Sequence, residues 1–389
     1  MKLSMPAIVL TAVGCGAGDL PALRGMVQEF IDGHWSESQG ERTSELITPS
    51  DDPSRDSGVK KWELYCDAAQ LIEGLDAVGG YWAPQGDWRT DELWGLGILV
   101  KRRELHSDPR IMASMQIANR AVRLDGRWAP GMCSFGELRT GENLHPTFQA
   151  GNALYWLFVA EAMYQLDEGN AARGVEGIVF ALNYALDWAV SGDPAMEMRG
   201  LMWLASDRAK PYLSRDALGT LSTQQVTTIR TALAIVERSV SSVSNSPLNG
   251  LKFWSDKLLS DDAQESIEVS KEEIQWILDW LQQLWQTTDK KGADLRLSLE
   301  KLRRDRFFIS DDWFVASILG RGDQAVLETR LHCQTVLAAQ SVLLGLYLRE
   351  QFSNVPDPQG GEIRFWKDGE TIKVVSSGIG WSPSELFEL

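Results

Sequence analysis

Residues 154–205 read LYWLFVAEAMYQLDEGNAARGVEGIVFALNYALDWAVSGDPAMEMRGLMWLA, and this stretch decides the fold. Val175, Ile178, Val179, Leu182, Ala185, Leu186 and Ala189 recur three and four positions apart, the spacing that lays one apolar stripe along a helix. Leu154, Leu157, Phe158, Ala162 and Tyr164 repeat the rhythm, with Glu161 as a polar exception. Gly169-Asn170 fits the left-handed turn that ends a helix. Asp193-Pro194 fits the start of the next, because Asp can accept from orphan amides and Pro gives up nothing at the first helical position. Three consecutive helices are therefore expected here.

Upstream, Asp108-Pro109 opens a similar pattern with Ile111, Met112, Met115, Ala118, Ala121 and Val122, and Glu63-Leu64-Tyr65 echoes Ala153-Leu154-Tyr155. These echoes suggest a duplicated helical unit, with reuse of common helix caps as the simpler explanation. Downstream, Ser222-Thr223-Gln224-Gln225 is a capping box ahead of Val226, Ile229, Leu233, Val236 and Val240. Ser270-Lys271-Glu272-Glu273 is another, ahead of Ile274, Ile277, Leu278, Leu281, Leu284 and Trp285. Trp276 and Trp280 lie off that stripe, so this helix is expected to be buried between layers. A long helix is expected from about Asp323 to Phe352. No charged residue falls between its Arg330 and Arg349, but His332, Gln334 and Gln340 interrupt the apolar run, so it reads as a central buried helix rather than a membrane span. The period then changes. Ile363-Arg364-Phe365-Trp366 and Ile372-Lys373-Val374-Val375 alternate, and the Asp368-Gly369 turn signal between them predicts a β-hairpin.

The expected fold is mainly α: antiparallel helix pairs, in the manner of a tetratricopeptide array, with a small C-terminal β-hairpin. The expected divisions are a lipoprotein-type signal peptide over 1–14, an N-terminal segment and polar linker over 15–59, a helical-repeat domain over 60–310, and the long helix plus hairpin over 311–389.

The chain has 389 residues and a formal net charge of -16, a balance that repels phosphate backbones, so no nucleic-acid partner is expected. Residues 1–16, MKLSMPAIVLTAVGCG, join one lysine to an apolar run and end in Ala12-Val13-Gly14-Cys15. That resembles a bacterial lipobox, which implies lipidation of Cys15 and a membrane anchor there. An apolar N-terminal strand is the alternative. A third reading, the glycine-rich loop of Rossmann-like methyltransferases at Val13–Leu20, lacks the βα alternation that should follow. The polar stretch 36–58 suits a spacer, with a partly helical piece around Leu20–Phe30 before it.

Two long interruptions carry most of the functional signal. Residues 79–97 hold Trp82, Trp88 and Trp94, and residues 125–146 hold Trp128, Cys133, Glu137, Arg139, Glu142 and His145. Exposed tryptophans can stack on sugars or grip a protein. Packing between helices is the plainer account of them. Trp82, Trp88, Trp128, Glu137, Arg139 and His145 are the candidate contacts for a protein or glycan partner, and Cys133 with His145 is a conceivable nucleophile pair. No metal-ligand spacing is visible among the four His and four Cys, and no cofactor loop or catalytic motif appears, so neither a metal nor a cofactor is expected. Cys333 reads as a core residue. The acid pairs Asp51-Asp52, Asp261-Asp262 and Asp311-Asp312 read as solvated caps.

The tail adds a resemblance. A long helix, then Val355-Pro356-Asp357-Pro358 with Gly360-Gly361, then paired strands and Ser376-Ser377-Gly378, resembles the C-terminal part of major pseudopilins of type II secretion. From about 60 to 380 the chain is similar to uncharacterised helical lipoproteins of planctomycete and myxobacterial type. The resemblance implies a fold for the tail. It implies no calcium site, because Gly378-Ile379-Gly380-Trp381-Ser382 carries none of the expected acids, and no secretion role, because the assembly helix is missing. The sequence thus points to an exported, lipid-anchored binding or scaffolding module of the cell envelope. The alternatives are a carbohydrate-active enzyme with a tryptophan-lined cleft and a cytosolic helical interaction module.

Overall fold

The computed structural model describes residues 20–34, 57–73, 75, 108–124, 139–140, 143–144, 146–191, 194–205, 211–241, 248, 251, 271–288, 290, 292–307, 322–368, 371–376 and 385–388, some of them by backbone alone. They are mostly helical, with a small antiparallel sheet at the end. The helices are α1 (Leu20–His34), α2 (Ser57–Ile72), α3 (Pro109–Val122), α4 (Pro146–Asp167), α5 (Ala171–Ala189), α6 (Pro194–Ala205), the short α7 (Arg215–Gly219), α8 (Thr223–Val240), α9 (Lys271–Thr288), α10 (Gly292–Phe307) and α11 (Gly322–Tyr347). The strands are β1 (Arg139–Thr140), β2 (Asn143–Leu144), β3 (Val355–Pro356), β4 (Glu362–Asp368), β5 (Thr371–Ser376) and β6 (Glu385–Glu388).

The three expected helices of the opening stretch are α4, α5 and α6. Gly169 takes φ +77, and the turn closes with Gly169 N–H on Leu166 O at 3.0 Å and Asn170 N–H on Gln165 O at 2.7 Å. This paired bonding satisfies the last carbonyls of α4. Asp108 caps α3 by accepting from Arg110 N at 2.9 Å, and Ser222 and Gln225 form the reciprocal capping box of α8. Ser270 lies outside the described residues.

Helix α5 is the hub. It packs against α4, α6 and α8. The stripe expected of it is only part of its apolar surface, since every residue from Phe180 to Val190 is buried. Residues Gly151–Ala160 of α4 are likewise buried all round. A helix enclosed on all sides cannot show the one-sided periodicity of a surface helix. Close approach makes the enclosure possible. A Cβ on Gly200 of α6 would lie 2.3 Å from Ala189 N, and one on Gly177 would lie 3.0 Å from the Ala162 Cβ. Helices α2 and α3 pack as a pair, with Ser114 Oγ donating to Ala68 O at 2.6 Å, and α2 also packs on α4. Helix-pair packing is thus present, whereas regular tetratricopeptide-like repetition is not established by it.

A second core joins distant parts of the chain. Leu23, Val27 and Ile31 of α1 pack with Leu248, Leu251, Ile274, Ile277, Trp280, Leu281 and Leu302. His34 Nε2 lies 2.8 Å from Gln282 Oε1, and its ring stacks on Phe30 at 4.2 Å. The helix expected inside the N-terminal segment is therefore built into a core with α9.

Helix α11 ends at Tyr347, before the expected Phe352. Arg349 adopts φ +64, and Glu350 N–H reaches Gly345 O at 2.9 Å, so the chain turns out of the helix there. Among the described residues no helix is long and apolar enough to cross a membrane. Cys333 is buried, as expected.

The hairpin forms between β4 and β5, with Asp368 opposite Thr371 and Gly369-Glu370 between them. It is extended to a four-stranded antiparallel sheet in the order β3-β4-β5-β6. Ile363 and Val374 face α11, where Val336, Ala339 and Leu343 complete a third cluster. Asp357 fixes the turn into the sheet. Its carboxylate accepts from Thr335 Oγ1 at 2.8 Å, from Gln359 N at 2.9 Å and from Ser376 Oγ, while Gly360 and Gly361 supply the positive φ that the turn needs.

Candidate functional site

Cys15, Trp82, Trp88, Trp128, Glu137 and His145 lie outside the described residues. Arg139 is in β1, where its backbone pairs with Leu144. This small hairpin leads directly into α4.

Two polar centres that local sequence reading missed are buried around α5. The first joins α2 to α5. Lys61 Nζ stands 3.1 Å from Asp187 Oδ1, and the two side chains are 1% and 2% exposed. Tyr65 O–H donates to Asp187 Oδ2 at 2.5 Å. Tyr65 meets the Tyr184 ring edge-on at 5.0 Å. Beyond it Trp188, Trp203 and Tyr155 continue an aromatic wall, with Tyr155 stacked on Trp203 at 4.6 Å. The polar tips of this wall also join helices. Tyr184 O–H donates to Gly151 O at 2.9 Å, and Trp203 Nε1–H donates to Asn152 Oδ1 at 3.1 Å. Burial drives the hydroxyls of Tyr155 and Tyr184 well above the ordinary tyrosine range, so both stay neutral.

The second centre joins α11 to three helices. Arg330 Nη1 donates to Val240 O at 2.6 Å, and its Nη2 donates to Ala189 O at 3.3 Å and to Glu197 Oε1. Val240 and Ala189 are the last residues of α8 and α5. One guanidinium thus occupies the negative ends of two helices while a carboxylate from α6 balances it. Gln334 Nε2 adds a bond to Val240 O at 3.2 Å.

The sequence held a faint signal for both centres. Asp187 sits in an apolar helical run and Glu197 in a mostly apolar one that also holds Arg199, and an acid buried in such a run needs a cation. Nothing local says which cation.

The Cys66 thiol is poorly suited to nucleophilic work. Burial, then Asp67 and Glu63, push the Cys66 thiol up to about 11, which leaves little thiolate at neutral pH. Among the described residues no cluster of His, Cys, Asp or Glu is placed to hold a metal ion. On the surface, Trp366 of β4 is 46% exposed, with Lys373 opposite it in register and Arg364 on the same sheet face.

No family model matches the chain, and no curated protein or solved structure matches it.

Proposed function

We propose that the chain is a helical binding or scaffolding module, exported and held at the cell envelope by a lipid on Cys15, with a protein or glycan as its partner. The supporting observation is how the described core uses its polar groups. Lys61, Tyr65 and Asp187 tie α2 to α5. Arg330 and Glu197 tie α11 to α6, and the same arginine closes the ends of α5 and α8. These five side chains are committed to holding helices together. That suits a rigid body that presents loops and surface aromatics to something else.

Metabolic labelling with an alkyne-tagged palmitate tests the anchored reading. Wild-type chain is expected to take the label and sediment with membranes, and Cys15→Ser is expected to do neither. Unlabelled wild-type protein in the soluble fraction overturns it.

A further inference from the structure

We propose that Lys61 and Asp187 are the two ends of an intramolecular isopeptide bond, a covalent staple between α2 and α5. This goes beyond the binding role and does not depend on it. The reacting groups are already together: Lys61 Nζ is 3.1 Å from Asp187 Oδ1, the oxygen attached to the carbon it would attack. Both side chains are all but removed from solvent. Tyr65 O–H, at 2.5 Å, is directed at the other carboxylate oxygen, Oδ2. A primary amine, a carboxyl group and a proton donor on the leaving oxygen form the set that amide condensation needs, held in place by two packed helices.

The balance is simple. Lys61 Nζ bonds to Asp187 Cγ, and the Cγ–Oδ2 bond breaks. Two protons leave the nitrogen, one as the ammonium becomes the attacking amine and one after the C–N bond has formed. Both end on the departing Oδ2, delivered through Tyr65, which gives its proton and recovers one from the nitrogen each time. In sum the ammonium and the carboxylate become one secondary amide and one water, with no oxidant or co-reactant. The environment drives the step forward. Two buried charges disappear, and burying charges is what makes such pairs costly. The burial of both side chains keeps them from the bulk water that hydrolysis would require. The Arg330–Glu197 pair has no such outcome, because a delocalised guanidinium is not an acylatable amine. The bond would close a loop between positions 126 apart.

Mass spectrometry of the full chain tests this. Comparing the wild type with Lys61→Met from the same cells cancels any processing at the N-terminus. The wild type is expected to be lighter than the difference in side chains requires by one water. Its digest is expected to contain a branched peptide joining residues 61 and 187. In Tyr65→Phe, the rate of linkage after refolding is expected to fall about a hundredfold. If a variant does not fold, the wild-type digest decides alone. Linear peptides through Lys61 and Asp187, with no branched product, mean an ion pair only and overturn the proposal.

Discussion

Arg330 of α11 and Glu197 of α6 meet as a buried ion pair although 133 positions separate them, and the same arginine donates to the closing carbonyls of α5 and α8. The guanidinium is 5% exposed and the carboxylate 0%, so neither group can fall back on water when its partner is removed.

Arg330→Met therefore removes the guanidinium that faces Glu197 and the Arg330 donor to the Ala189 and Val240 carbonyls, of which Val240 keeps its bond from Gln334. The expected loss is about 3–5 kcal/mol. Adding Glu197→Leu to the same chain removes the facing carboxylate, so the double variant is expected to recover part of the loss. Urea denaturation of the single and double variants checks this. A double variant no more stable than Arg330→Met would mean that the carbonyl contacts, rather than the ion pair, carry the energy.

Glycine substitutions separate close packing from open helix surface. A Cβ at Gly200 would lie 2.3 Å from Ala189 N and 2.6 Å from Ala185 O, and backbone atoms cannot move aside cheaply. Gly200→Ala is expected to cost about 3 kcal/mol or more. Gly25 sits within α1 and a Cβ there meets nothing within 4 Å. Gly25→Ala is expected to gain about 0.5–1 kcal/mol through helix preference. Thermal unfolding of the two variants should move in opposite directions.

The α8 cap gives a calibrated loss. Ser222 Oγ accepts from Gln225 N at 3.3 Å and Ser222 N–H donates to the Gln225 side chain at 2.8 Å. Ser222→Ala is expected to cost about 1 kcal/mol, and Ser222→Asn to restore most of it. A denaturation midpoint unchanged in Ser222→Ala would show that this end of α8 is held by Val226 and Ile229 in the core instead.

Local chemistry made these caps legible before any coordinates. Gly169, Ser222 and Asp108 each act within a few residues of chain, so their roles can be read from neighbours, and the pairing of β4 with β5 was signalled as locally. The α8 stripe was legible for the same reason. The buried centres were not. Lys61 follows Lys60 near the start of a helix and looks like part of a solvated end. It goes inside because Asp187 waits there, on a helix that the intervening chain does not specify locally. The pairing of His34 with Gln282 has the same character, with 248 positions between them. The candidate partner contacts at Trp82, Trp88 and Trp128 fall outside the described residues, and Arg139 of the same candidate set lies in β1.

Cys66 supplies a pH prediction. Its folded value, about 11, lies above the ordinary 9.0, so folding favours the neutral thiol. A raised value contributes stability that is complete below the unfolded value and is lost as pH rises through the folded one. Stability is thus expected to fall between about pH 9 and pH 11 more in the wild type than in Cys66→Ala. Alkylation of Cys66 at neutral pH, followed peptide by peptide, is expected to be slower in the native chain than in urea. Equal rates would remove the buried-thiol account.

Gln340 is the clearest place to improve the fold. It is fully buried on α11, and among the described residues neither atom of its amide meets a hydrogen-bond partner. One helical turn away, Leu337 and Leu344 belong to the main core, and Val336 and Leu343 belong to the cluster beneath the sheet. The amide thus sits at a seam between two apolar groups and gives up its hydration there without return. An unpaired buried amide costs about 1–3 kcal/mol, and leucine fills a similar volume with no polar atom. Gln340→Leu is expected to raise the urea midpoint without changing the slope of the transition. A lowered midpoint would mean that the amide has a partner in solution and that the seam needs a polar group.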